Sequence, residues 1–89
     1  MIIVSYDIKE DKVRNKFSKM LEQNGAIRLQ YSVYEFNNTK RLSDTLLLKI
    51  EQFAKVFTGA DSVMILEGNA FKIKKYGNAI HRDQDVVFI

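Results

Sequence analysis

The sequence predicts an α+β sandwich with the element order β-α-β-β-α-β. Three observations carry that reading: two apolar stripes at helical spacing, short β-branched runs on either side of them, and a pair of strand-like runs between them. At 89 residues the chain has room for a single domain, taken as 1–89.

Ile2-Ile3-Val4-Ser5-Tyr6 is short, apolar and rich in branched side chains, the pattern of a strand covered on both faces. Asp7 to Asp11 is polar, and Asp11 can cap the helix that follows. Val13, Phe17, Met20 and Leu21 make one helical stripe, which Gly25 ends at the position a C′ glycine occupies. Ala26 to Gln30 and Tyr31 to Phe36 read as two strands, or as one long strand bent near Gln30 and Tyr31. Asn37-Asn38-Thr39 offers turn and N-cap chemistry. Leu42, Leu46, Ile50, Phe53 and Phe57 form a second stripe, closed by Gly59, and Ser62 to Leu66 is another buried strand. The order is that of a ferredoxin-like sandwich, two helices on one face of a four-stranded antiparallel sheet.

The end of the chain does not fit a four-stranded unit. Asp85-Val86-Val87-Phe88-Ile89 is apolar where termini are usually polar, so it needs a sheet edge and an apolar surface. Either this is a fifth strand on the chain's own sheet, or residues from about 78 to 89 form a tail whose strand is exchanged in a homodimer. We favour the exchange, because the four-stranded sandwich is already complete without it.

Composition narrows the chemistry. There is no cysteine and one histidine, His81, which excludes a disulfide framework, a thiolate metal site and a zinc site built on imidazoles from one chain. Lys+Arg number 14 against 11 Asp+Glu, a formal charge of +3 that leans mildly toward anionic partners. The basic residues gather at 9–19, 72–75 and 81–82. No run is long enough to span a membrane and the opening carries no basic leader, so a soluble cytoplasmic protein is expected.

Several stretches then carry a resemblance. "VSYDI" ending the first strand, "VRNKF" on the first helix, "GAIRLQYSVYEF" and "ADSVMILE" resemble the second of the two core CRISPR-associated adaptation proteins, the partner of the CRISPR integrase. The similarity covers nearly the whole chain, and "RLQYSVYEF" is its most specific stretch. The resemblance implies a ferredoxin-like homodimer in which the aspartate after the first strand lies near the two-fold axis and holds Mg²⁺ or Mn²⁺ with its symmetry mate. It also implies metal-dependent endonuclease activity on single-stranded RNA or double-stranded DNA, or a scaffold gripping DNA between integrase dimers. By position, the residues it implicates are Tyr6, Asp7, Arg14, Lys16, Arg28, Ser32 and Tyr34. Lys16 stands where relatives often have arginine, and Tyr34 where they usually have phenylalanine.

Each has a plainer reading from the residues alone. An aspartate at a strand end is commonly a turn or cap residue. With the resemblance, Asp7 is assigned as the catalytic and metal-binding residue, since paired carboxylates and water suit a hard divalent ion. Arg14 and Lys16 belong to a helix start that could be an ordinary solvated face. The positive end of the helix favours Arg14 as a phosphate ligand. Arg28 interrupts an apolar strand and must reach water, a carboxylate or a phosphate. Ser32 either binds a phosphate or satisfies backbone at a bend. Tyr6 and Tyr34 are more often core aromatics than stacking platforms, and His81 reads as a solvated surface group. A small-molecule regulatory module on the same sandwich is the alternative from another class; architecture alone does not separate the two.

Overall fold

The computed structural model describes residues 1–68, 74–77 and 87–88. In chain order these form β1 (Ile2–Asp7), α1 (Asp11–Gln23), β2 (Ile27–Gln30), β3 (Val33–Phe36), α2 (Lys40–Ala54) and β4 (Ser62–Glu67). The strands lie in the order β2-β3-β1-β4, all antiparallel, which is the ferredoxin-like arrangement. β1 is therefore central, with Val4 opposite Tyr34 on one side and Ile65 on the other.

Alternation along β1 decides where the core sits. Ile2, Val4 and Tyr6 are buried against the helices, joined by Phe17 and Leu21 from α1, Leu46 and Ile50 from α2, and Tyr34 and Phe36 from β3. Phe17 is fully buried and meets three rings edge-on, with centroids 4.8 Å from Tyr6, 5.2 Å from Phe53 and 6.0 Å from Phe57. Such edge-to-face contacts pair the positive ring edge with the negative face and add to the burial of area.

α1 ends as the sequence indicates. Gly25 has φ +95°, its N–H bonds the carbonyl of Glu22, and the N–H of Ala26 bonds that of Leu21. That is a Schellman closure, in which the left-handed residue is best made by glycine. The start of α1 differs from expectation. Glu10 holds the N-cap position without a side-chain hydrogen bond, while Asp11 lies inside the first turn and pairs with Arg14 instead of capping. At α2 the expected cap forms, with the Thr39 hydroxyl accepting from the N–H of Leu42 at 3.3 Å.

α2 also stops earlier than its stripe. After Ala54, bonds from Lys55, Val56 and Phe57 to carbonyls three residues back tighten the chain and bring Phe57 onto Phe17. Gly59 takes no left-handed conformation and is not the helix stop.

Two strands read as buried on both faces are covered on one. Beyond the helix-side residues, β1 leaves Ile3 and Ser5 half-buried, and edge strand β4 leaves Met64 60 % and Leu66 50 % exposed. A continuous apolar run cannot say whether its second face is covered by the same chain, and here the helices lie on one side only. At the end of the chain, β5 (Lys74–Lys75) pairs in parallel with β6 (Val87–Phe88) as a separate two-stranded sheet, not as a fifth strand of the main one. The rest of the apolar terminus and His81 lie outside the described residues.

Phe17→Ala should destabilise the domain by about 3–5 kcal/mol. Small domains hold only about 5–15 kcal/mol in total, so chemical denaturation should show the variant unfolding at a much lower denaturant concentration than the parent, and Phe17→Leu much less affected.

Candidate functional site

The C-terminal end of β1 gathers the polar chemistry. Asp7, opposite Ser62, follows buried Tyr6, so alternation turns its carboxylate away from the helices. It is well exposed and sits 3.1 Å from the Lys9 ammonium. The loop behind it is pinned from a distant part of the chain. The N–H of Lys9 donates to Asp61 Oδ1 at 2.9 Å, while Asp61 Oδ2 accepts from the N–H of Thr58 at 2.9 Å and from its hydroxyl. The Lys9 and Thr58 amides hold the Asp61 carboxyl below its ordinary range. Asp61 is thereby engaged in structure, and Asp7 is the carboxylate presented beside it.

A second group forms on the other side of the same strand end. Arg14, in the first turn of α1, donates from Nη1 to the carbonyl of Ile8 at 3.1 Å and pairs with Asp11. Arg28, on edge strand β2, is in register with buried Tyr34. Both guanidinium carbons approach the exposed ring of Tyr31, at 5.9 Å from its centroid for Arg14 and 5.6 Å for Arg28. Tyr31 and Ser32 are the two residues joining β2 to β3. Ser32 has φ +68°, a left-handed conformation that glycine or asparagine usually takes at the second position of such a turn. Its carbonyl accepts from the N–H of Tyr6 at 3.1 Å, which ties the turn to β1.

The residues singled out in the sequence thus separate. Arg14 and Arg28 both approach the ring of Tyr31; Ser32 holds the turn that bears it. Asp7 is close by along the chain but points to the opposite face of the sheet. Lys16 lies elsewhere on α1, lining an outer groove with Val13, Met20, Lys49, Phe53 and Val56. Tyr6 and Tyr34 are buried, their rings stacked with centroids 6.2 Å apart. The Tyr34 hydroxyl donates to Glu22 Oε2 at 3.2 Å, so the oxygen that phenylalanine would lack is satisfied. Burial, with the Tyr6 hydroxyl and Glu22 nearby, pushes Tyr34 up to about 12. Sequence reasoning missed Tyr31 and Asp61. The signal for the first was an aromatic in a polar turn between strands, and for the second a threonine three residues before an aspartate.

Among the described residues no group of three or more carboxylate or imidazole side chains converges on one point. No helix among them is long and apolar enough to cross a membrane.

The family described as CRISPR associated protein Cas2 matches residues 1–86. A protein named CRISPR-associated endoribonuclease Cas2 2 from Methanospirillum hungatei is 50 % identical over 34 residues, 38 % of this chain and 37 % of its own length. One of the same name from Pyrobaculum aerophilum is 36 % identical over 62 residues, 68 % of this chain and 64 % of that protein. The chain therefore spans less than two thirds of the curated relatives it matches. Among solved structures, a hypothetical protein from Thermus thermophilus superposes with a TM-score of 0.72 at 28 % identity, covering 90 % of this chain and 93 % of that one. A structure titled as cas2 gives 0.68 at 23 % identity, covering 97 % and 95 %, and shares the fold.

Two outcomes follow from the titrating groups. Tyr34 has a folded-state value above its unfolded value near 10, so its contribution to stability is complete below pH 10 and is lost as pH rises toward 12. Tyr34→Phe should flatten that alkaline loss in denaturation curves, though not abolish it, because burial raises Tyr6 as well. Asp61 is shifted the other way, so its support is present above its ordinary value of 3.8 and is lost as pH falls through its lowered one. Asp61→Ala should make the Lys9 amide exchange hydrogen faster at neutral pH, and acid should bring the parent toward the same rate.

Proposed function

The chain belongs to the CRISPR-associated Cas2 family, and we propose that it is a homodimeric, metal-dependent endonuclease that also grips nucleic acid for a CRISPR integrase during spacer acquisition. One observation carries this reading: an exposed carboxylate, Asp7, stands at the end of the central strand with a pair of arginines beside the same strand end. The named endoribonucleases among its relatives support nuclease chemistry.

The donor set fits a hard ion that keeps most of its water. Each chain supplies one accessible carboxylate there, and Mg²⁺ is commonly held by one or two carboxylates, with waters and substrate phosphates completing its shell. Asp7 from each of two copies would hold it, which makes the pair of chains the catalytic unit. The open sheet face supports pairing, because exposed Met64 and Leu66 share it with the Asp7 side and would be covered when two such faces meet. A divalent ion bound there supplies an acidic water and positive charge against a phosphate under attack.

The protein's own residues do the rest. Lys9 gives up its exposed ion pair so that Asp7 is free to coordinate. Arg14 and Arg28 bind backbone phosphates and orient the strand, and Asp61 keeps the loop between Asp7 and α1 from moving. Phosphate contacts of this kind position a nucleic acid without reading its sequence. A scaffold with incidental cleavage is the second reading. What favours it is that Lys9 is the partner that the Asp7 side chain has in hydrogen bonds and ion pairs among the described residues.

Asp7→Ala should lower Mg²⁺-dependent cleavage of RNA or DNA by on the order of a hundredfold while leaving duplex binding intact. Cleavage at the parent rate would remove the assignment of chemistry to this residue. Sedimentation showing only single chains at high concentration would remove the shared site.

A further inference from the structure

We propose that Tyr31 is a positioning residue whose ring holds Arg14 and Arg28 together as one fork for a phosphodiester group. The proposal rests on the nucleic-acid reading above and names the device within it. Two guanidinium groups repel one another, yet both lie within about 6 Å of one aromatic centroid, the range in which the negative ring face attracts a cation. They come from different elements, the first turn of α1 and edge strand β2, so nothing local requires them to share one ring.

The ring is held in turn. Tyr31 is 67 % exposed, so burial does not place it. Its position follows from a two-residue turn whose second residue, Ser32, accepts a left-handed backbone, and whose carbonyl is bonded to Tyr6. A turn that a serine tolerates at some strain is a feature worth explaining by what it presents. What it presents is the ring. Arg14 is further steadied by the Ile8 carbonyl and by Asp11, an acidic side chain standing where an anionic oxygen would otherwise bind. Arg28 has no ion-pair partner among the described residues. A phosphate displacing Asp11 would be met by two cations already oriented, and less side-chain freedom would be lost on binding.

The test is binding, without metal, of a labelled DNA duplex and a labelled single-stranded RNA across a salt series. Three variants are compared with the parent: Tyr31→Phe, which keeps the ring, and Tyr31→Leu and Tyr31→Ala, which do not. Tyr31→Phe should bind within about twofold of the parent. Tyr31→Leu and Tyr31→Ala should bind roughly tenfold more weakly, a change the loss of an organised charge contact can produce. Their salt slope on duplex DNA should also fall by about one to two, since each lost phosphate contact removes about 0.9. Weaker binding with an unchanged slope would mean that the ring stacks on a base, and would overturn the proposal; so would unchanged binding. If the parent binds neither nucleic acid, the functional reading fails. The fork is then judged by pyrophosphate titration: the side-chain Nε–H signals of Arg14 and Arg28 should shift together in the parent and Tyr31→Phe but not in Tyr31→Leu. No joint shift in the parent would end it.

Discussion

The strict alternation of β1 is the constraint from which the molecule's organisation follows. The strand lies between β3 and β4, so its residues must face either the helices or the open side of the sheet. Ile2, Val4 and Tyr6 face inward and seed the core. Asp7 is the next in the series and is forced to the other side just as the strand ends. A carboxylate is thereby fixed at the edge of a rigid element without being buried, an arrangement a loop residue would not give. A slip of one residue in register would bury Asp7 and expose the whole inward set, and pairing on both sides guards against it.

The polar groups divide along the same line. The carboxylate goes to the open face, and the two arginines collect on the helix side around the turn that joins β2 to β3. The exposed carboxylate and the two guanidinium groups thus lie on opposite faces of the sheet at the same strand end. Hydrogen bonds from distant segments keep the two parts in fixed relation: Asp61 holds the loop on one side, and Tyr6 holds the turn on the other. These contacts fix where Asp7 and the two arginines can stand relative to one another.

Much of this was legible in the sequence because it depends on local pattern. The two stripes gave both helices, Gly25 gave the end of the first, Thr39 gave the start of the second, and the β-branched runs gave the strands in their order. What escaped depends on the third dimension. Asp11 looks like a cap, but Arg14 one turn along competes for its carboxylate. The stripe of α2 runs to Phe57, but packing onto Phe17 is served as well by a tightened turn as by more helix. Coverage of the second sheet face is not written in an apolar run. Arg28 and Ser32 were singled out, one as a charge interrupting an apolar strand and one as either a phosphate ligand or a bend residue. That they frame Tyr31 required the hairpin to be closed.

Met64 and Leu66 carry a cost of their own. A newly made copy keeps these oily side chains wet until something covers them, and the outer edge of β4, which bears them, pairs with no strand among the described residues and so offers its backbone to passing strands. Left open, such a patch invites unspecific sticking, and the more so the more crowded the chain is.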